Sequence, residues 1–346
     1  MSTALSATSP AATSSSATAL PTRLLLGLYP ATYRASHGAE IAAVFAESVE
    51  GADRRTVRRE WAALAAHALR LRTGLSSRDR AGRIAAGAAP YLLAGGAALS
   101  AVHLLLGLVL GQPFGAEAHH PAVTAVVGAA QTLPWVLALV FAVLGRWRQA
   151  RLLVLLGMVL RTAAAAAVFV LPYATFYQYY FLYPLWLLLG AVLLAAPPDA
   201  VDLSPRARTG TAAAALAVAV PMTAVVALWP WREAGDYSEP VFSAQTQNVL
   251  DALTAWPAVV MSLAFLVHFG ARRPDRLRAA GAALATLPWM VMLPAPLYLR
   301  PPLGVDAVRN LAVVGALLAL CTVVAVLRRA FVRAVPIPVA DEAEPV

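Results

Sequence analysis

From Ala85 onward, apolar residues run in blocks of about twenty, separated by short stretches that carry arginines and prolines. Blocks of that length match a hydrocarbon core of about 30 Å crossed at roughly 1.5 Å per helical residue. They predict eight spans, near 85–110, 122–144, 152–171, 176–196, 211–229, 250–269, 280–299 and 307–327. The chain is organised around Arg151–Pro198, which reads as two spans joined by a short aromatic turn, with Arg161 inside the first. Before Ala85 the period changes. Ile41, Val44, Phe45 and Val49 recur at helical spacing, and Trp61, Leu64, Ala68 and Leu71 line one side of a helix expected from about Arg54 to Leu71. Tyr29-Pro30 interrupts an earlier apolar turn. Gly38 is expected to break the chain again, which places Glu40 in a first helical turn, where the dipole favours it. The pattern predicts a cytosolic three-helix amphipathic module over 21–83, barely large enough to be stable alone. Residues 1–20, rich in Ser, Thr and Ala without charge, read as a disordered tail. Residues 328–346 read as a second, cytosolic disordered tail. The expected fold class is all-α: a polytopic membrane helix bundle of about eight transmembrane helices over 84–327, with a small N-terminal cytosolic helical domain.

Composition agrees with that pattern. Of 346 residues 60% are hydrophobic and 13% charged, against roughly 25% charged in soluble domains. All 27 basic residues are arginine, and the net charge is +9. Their positions argue against a nucleic-acid surface. Eleven lie in the N-terminal region, three in 145–151, two in 197–210, four in 271–278 and three in the C-terminal tail. The alternate loops hold only Arg232, Arg300 and Arg309, the last at the start of the final span. Positive charge collects on the cytoplasmic side of membrane proteins. The expected location is therefore the bacterial plasma (inner) membrane, multi-pass, with both termini cytoplasmic and the lipid bilayer as one partner. The arginine- and alanine-rich composition suggests a high-GC bacterial genome. Tyr173, Phe176, Tyr177, Tyr179, Tyr180, Phe181 and Tyr183, with Trp229, Trp231 and Tyr298, read as an outer interfacial belt. The single Cys321 excludes an internal disulfide and reads as a packing residue.

Leu26 to Glu47, LGLYPATYRASHGAEIAAVFAE, carries a motif. Leu28, Tyr29, Pro30, Tyr33, Arg34, Gly38, Glu40, Ile41 and Phe45 match the pattern L-Y/L-P-x-x-[YF]-R-x-x-x-G-x-E-[IM]-x-x-x-F. It resembles the short N-terminal permease-prefix or HAAS-like module that precedes certain actinobacterial integral membrane proteins and ABC-type permeases, of the kind linked to PadR-type transcription regulators. The resemblance covers about 60 residues. It implies a partner-binding role for 21–83, toward a cytosolic regulator or a membrane partner protein. The remainder departs from the permeases, because no large extracellular domain follows.

Candidate chemistry is sparse. Arg161 falls near mid-membrane, where a charge is either functional or snorkels along its stem. If functional, it would bind an anionic substrate group or a lipid headgroup. His103, Glu117, His119 and His120 lie in or near the first outer loop but do not converge as a metal site would. His268 sits at an inner helix end. Gly107-x-x-x-Gly111 and the alanine runs 163–167 and 212–215 are helix-packing devices. No phosphate loop, HExxH or GxSxG occurs. No catalytic, cofactor-binding or metal residue is expected, and no enzyme. Pro134 and Pro257, each beside a tryptophan, lie 123 residues apart, and Pro172 and Pro294 lie 122 apart. This suggests a parallel 4+4 repeat of 84–198 and 211–327. The expected function is regulatory or structural, with the module docking a partner. The alternative is a transporter or permease subunit using an Arg161-containing cavity.

Overall fold

In the computed structural model, the described residues are 24–110, 121–170, 182–228, 244–271, 275–290 and 303–334. They are all-α, without strands. The chain divides into two compact units, Met1–Ala81 and Gly82–Val346.

The first unit holds a helical turn at residues 24–27, then α1 (Ala31–Val49) and α2 (Arg54–Thr73). Tyr29-Pro30 separates the turn from α1 as expected. Gly38 does not break the chain: α1 runs straight through it, and the residue is buried. A mid-helix glycine costs only about 1 kcal/mol, less than the packing of Phe45 and Val49 further along the helix returns. Glu40 is therefore mid-helix rather than in a first turn. Asp53 caps α2, accepting the Thr56 N–H at 3.2 Å. Hydrogen bonds from Thr56 hold its carboxyl below the usual range. Gly74 closes the helix with φ 66°, a left-handed conformation that glycine adopts without cost.

The second unit is a helical bundle: α3 (Arg80–Leu110), α4 (Pro121–Val143), α5 (Trp147–Val170), α6 (Leu182–Ala195), α7 (Pro205–Leu228), α8 (Ala244–Gly270), α9 (Arg276–Leu284) and α10 (Leu303–Ala334). Two helical stretches, Arg80–Leu105 and Val126–Val143, are long and apolar enough to cross a membrane. Shorter apolar stretches are Trp186–Ala195, Trp256–Gly270 and Gly315–Arg328. The helix α10 continues through Arg328 and Arg329 to Ala334, past the tail boundary expected at 327.

The seventh span, expected as one helix over 280–299, is not one. Helix α9 ends at Leu284 and a 3-10 turn follows at Leu287–Met290. Pro288 has no N–H for the Leu284 carbonyl, and its ring crowds that group. The Ala283 carbonyl is taken by the Thr286 N–H at 3.1 Å and the Thr286 hydroxyl at 2.7 Å. Two successive carbonyls thus lack their α-helical partners. Pro90, Pro134, Pro221 and Pro257 sit inside continuous helices.

Helix α3 is the centre of this unit. Its apolar window is 67% buried, against 28% for that of α4. Small residues bring other helices onto it. A Cβ on Gly281 would lie 2.6 Å from the Gly87 carbonyl carbon and 2.7 Å from the Ala88 nitrogen, so α9 and α3 meet backbone to backbone. Further along, Trp289 packs against Gly95, and Trp135 and Trp186 pack against Gly96. The outward faces are apolar as well: Val140, Leu152, Val159, Leu216, Val220, Val267 and Leu327 are all exposed.

Basic helix ends meet at one end of the bundle. Gly145, with φ 79°, closes α4 in a Schellman motif: the Arg146 N–H reaches the Phe141 carbonyl at 2.7 Å, and the Gly145 N–H reaches that of Ala142 at 2.9 Å. Arg208, at the start of α7, donates to the Val143 carbonyl at 3.3 Å. Arg151 of α5 donates to the Leu194 carbonyl near the end of α6. Ser204 caps α7 ahead of Pro205 and accepts the Ala207 N–H at 3.3 Å. Asp202 accepts the Ser204 N–H at 2.9 Å and pairs with Arg278 of α9 at 2.7 Å. These bonds, the Ser204 amide first, hold the Asp202 carboxyl below its ordinary range.

Gly281→Leu is expected to cost about 1–3 kcal/mol of stability, because only backbone surrounds the new side chain. Gly315→Ala, mid-helix with nothing within 4 Å of the new Cβ, should not lower stability and should raise it by up to about 1 kcal/mol. Thermal midpoints of the two proteins in detergent read the difference. Equal melting would contradict the α3–α9 contact.

Candidate functional site

Two places gather the residues that the sequence singles out. The first is the N-terminal unit. Leu25, Tyr29, Phe45, Val49 and Ala68 form its core, with Leu28, Tyr33, Ile41 and Trp61 packed on them. The Tyr29 hydroxyl donates to the Leu64 carbonyl at 3.2 Å and so ties the turn before α1 to α2. Burial, aided by Tyr33 and opposed by Arg70, pushes the Tyr29 phenol up, so it remains a neutral donor. Its ring stacks on Tyr33 at 5.7 Å, and Tyr33 stacks on His37 at 4.5 Å. Arg72 on α2 donates to the Gly27 carbonyl at 2.7 Å.

The motif is therefore mainly a folding signature. Tyr29, Gly38 and Phe45 are buried, Leu28, Tyr33 and Ile41 pack on the core, and Pro30 flanks the start of α1. Only Arg34 and Glu40 point outward. Spacing alone could not separate these roles, because all nine residues lie within two turns of the Tyr29 and Phe45 anchors. Helix α2 leaves a second exposed face, basic in its first turns (Arg55, Arg58, Arg59) and apolar beyond (Ala62, Ala66, Leu69).

The second place is the interior of the bundle around Arg161. This residue is 7% exposed and does not snorkel to the basic end. Its guanidinium carbon lies 3.8 Å from the centre of the Trp186 ring, a cation–π contact between α5 and α6. Trp186 lies against Trp135 of α4, with ring centres 4.6 Å apart. Gly157, one turn before Arg161, faces the Trp135 N–H. On α3, Gly96, Ser100 and His103 follow one another at helical spacing, and His103 lies within electrostatic reach of Arg161. The indole N–H groups of Trp135, Trp186 and Trp289 and the Ser100 hydroxyl are buried with no hydrogen-bond partner among the described residues. Each such donor costs about 1–3 kcal/mol when left unmet.

Other expectations fall elsewhere. Cys321 is buried against Phe265, Ala279 and Ala282. His268 meets the Tyr91 hydroxyl at 2.5 Å, a pairing across 177 residues that no local pattern could reveal. Among the described residues no group of His, Cys, Asp or Glu could hold a metal ion. Glu117, His119, His120 and Gly111 lie outside the described residues, as do Trp229, Trp231, Tyr298 and the outer aromatics from Tyr173 to Phe181.

Tyr29→Phe should weaken the N-terminal unit by about 1 kcal/mol, the worth of one net hydrogen bond. Phe45→Ala should cost about 3–5 kcal/mol and unfold so small a core. Limited proteolysis of the full-length protein should then show faster cleavage within 24–81 for Phe45→Ala, and a modest increase for Tyr29→Phe.

No family model, curated protein or solved structure matches this chain.

Proposed function

We propose that this is a multi-pass protein of the bacterial inner membrane whose helices anchor a cytoplasmic partner-docking module. It acts as a regulatory or structural protein without an enzymatic step of its own. Eight crossings are proposed, the seventh beginning with α9 and the 3-10 turn. The membrane reading is supported by the apolar outer faces of α4 to α8 and α10, which a water-soluble bundle would not leave bare. Sidedness is supported by the arginines that meet at one end, the pattern of a cytoplasmic face.

The observation that carries the docking role is the division of labour within the motif. Its apolar members build a core, while Arg34 and Glu40 stay outside, beside a basic-to-apolar face on α2. That face suits a protein partner presenting carboxylates next to an apolar patch. By resemblance to the permease-prefix and HAAS-like modules, the partner is a cytosolic regulator of the PadR type. Direct contact with nucleic acid is not part of the proposal.

A photo-cross-linking residue at Leu69 of the full-length protein tests the docking. A discrete protein adduct in cells is expected, and Arg55→Glu with Arg58→Glu should abolish it. An adduct unchanged by the charge reversal, or lipid adducts alone, would refute docking through this face. Topology is read in a Cys321→Ala background. A cysteine at Arg148 should react with an impermeant maleimide only after permeabilisation, and one at Ala118 should react in intact spheroplasts. The reverse pattern would overturn the assigned sidedness.

A further inference from the structure

Three buried indoles and one buried hydroxyl lie around the middle of α3, and none of their donors has an acceptor among the described residues. Trp135 and Trp186 press on Gly96, Trp289 presses on the adjacent Gly95, and Ser100 follows one turn later. Their indole N–H groups and the Ser100 hydroxyl have no partner among the described residues. Trp135, Trp186 and Ser100 are fully buried, and Trp289 is 1% exposed. Folded proteins rarely leave such groups unmet, and a cluster of them calls for a bound acceptor. Trp147 also has a buried indole without a partner, but only here do such indoles lie beside a buried arginine and a hydroxyl on the facing helix.

Arg161 gives the cluster its sign. It lies one turn after Gly157 on α5, and its guanidinium covers the Trp186 face at 3.8 Å. Trp135 joins the two sides, with its six-membered ring at Gly96 and its N–H at Gly157. The point that a Gly157 Cβ would occupy is 2.8 Å from Trp135 Nε1. A side chain at position 157 would therefore collide with the indole, and the glycine lets Trp135 close onto α5. Nearby walls, Leu92, Leu93, Leu99, Leu189 and Val154, are apolar and buried.

A guanidinium, indole donors and a hydroxyl in an apolar enclosure complement a single negative charge spread over oxygen atoms. We infer that this cluster binds the oxyanion of a singly charged amphiphile, with Arg161 holding the charge and Trp135, Trp186 and Ser100 donating hydrogen bonds. The ligand comes either from the bilayer, as the phosphodiester of an anionic phospholipid, or from solution, as the carboxylate of a free amphiphile. The inference does not rest on the docking module.

The full-length protein in non-ionic detergent, stripped of lipid, is titrated with dioleoyl phosphatidylglycerol, dioleoyl phosphatidylcholine, oleate and inorganic phosphate. Thermal midpoint and tryptophan emission are followed. Phosphatidylglycerol or oleate should raise the midpoint and shift the emission, and phosphatidylcholine should not. A response to phosphatidylglycerol alone assigns the bilayer source, and one to oleate alone assigns the free carboxylate. Arg161→Gln should weaken the effect about tenfold or more, as expected for losing a charged hydrogen bond, while Arg161→Lys retains part of it. Ser100→Ala removes one donor with little change of shape, and Trp135→Phe removes one together with part of a buried ring. Each should weaken binding several-fold, and only Trp135→Phe should also lower the midpoint in the absence of ligand. The site is refuted if no anionic amphiphile shifts the wild type, if inorganic phosphate acts as well as the amphiphiles, or if binding is unchanged in Arg161→Gln. Should Arg161→Gln not fold, unchanged binding in both Trp135→Phe and Ser100→Ala refutes it equally.

Discussion

The bundle depends on how closely other segments approach the backbone of α3. Gly281 of α9 lies so close to the backbone at Gly87 and Ala88 that it leaves no room for a side chain of its own, and Gly95 and Gly96 admit three indoles. In a lipid environment, helices gain little from the hydrophobic effect between them, so contact area and close packing must hold them together. Small residues on α3 supply that contact, and large rings on α4, α6 and the 3-10 turn fill the space they leave. The same arrangement buries the indole N–H groups. Close packing and orphaned donors are thus two results of one choice of residues.

Arginine plays two separate parts. At the basic end it closes helices. Arg208 reaches the carbonyl of Val143 and Arg151 that of Leu194, near helix C-termini where carbonyls lack partners and cations are favoured. Arg278 pairs with Asp202 and draws the α6–α7 connection onto α9. A guanidinium suits these sites because it stays charged and offers several donors in a fixed fork. Arg161 differs, being enclosed far from that end with its flat face on an indole. The basic residues at that end and the one placed inside the bundle therefore obey different energetics.

Much of this was legible in the sequence. Apolar blocks locate the helices, since α3 to α8 and α10 each overlap an expected span. The apolar spacing of Ile41, Phe45 and Val49 places them on one face, although Val44 is 54% exposed. What escaped depends on context that local pattern lacks. Pro90, Pro134, Pro221 and Pro257 sit inside continuous helices, whereas Pro288 accompanies a helix end, where Thr286 takes over a neighbouring carbonyl. Gly38 looks like a breaker, but tertiary packing of α1 outweighs its propensity. Arg161 was visible as an anomaly, while its resting place was not, since Trp186 lies 25 positions further on. The Tyr91–His268 pair is of the same kind.

One relation spans both parts of the bundle. Trp135 on α4 packs against Gly96 of α3, and Trp256 on α8 donates to the Ala217 carbonyl of α7 at 2.8 Å. Trp256 follows Trp135 by 121 residues, and Ala217 follows Gly96 by the same 121. Contacts between the two sets correspond as well: the start of α7 meets the end of α4 through Arg208, and the early part of α3 meets the end of α8 through Tyr91. The likeness is one of contact rather than of register: the prolines beside these tryptophans lie on opposite sides of them, so Pro134 and Pro257 are 123 apart. The two indoles also end differently. That of Trp135 is buried against Trp186 with no acceptor among the described residues, while that of Trp256 has a backbone carbonyl.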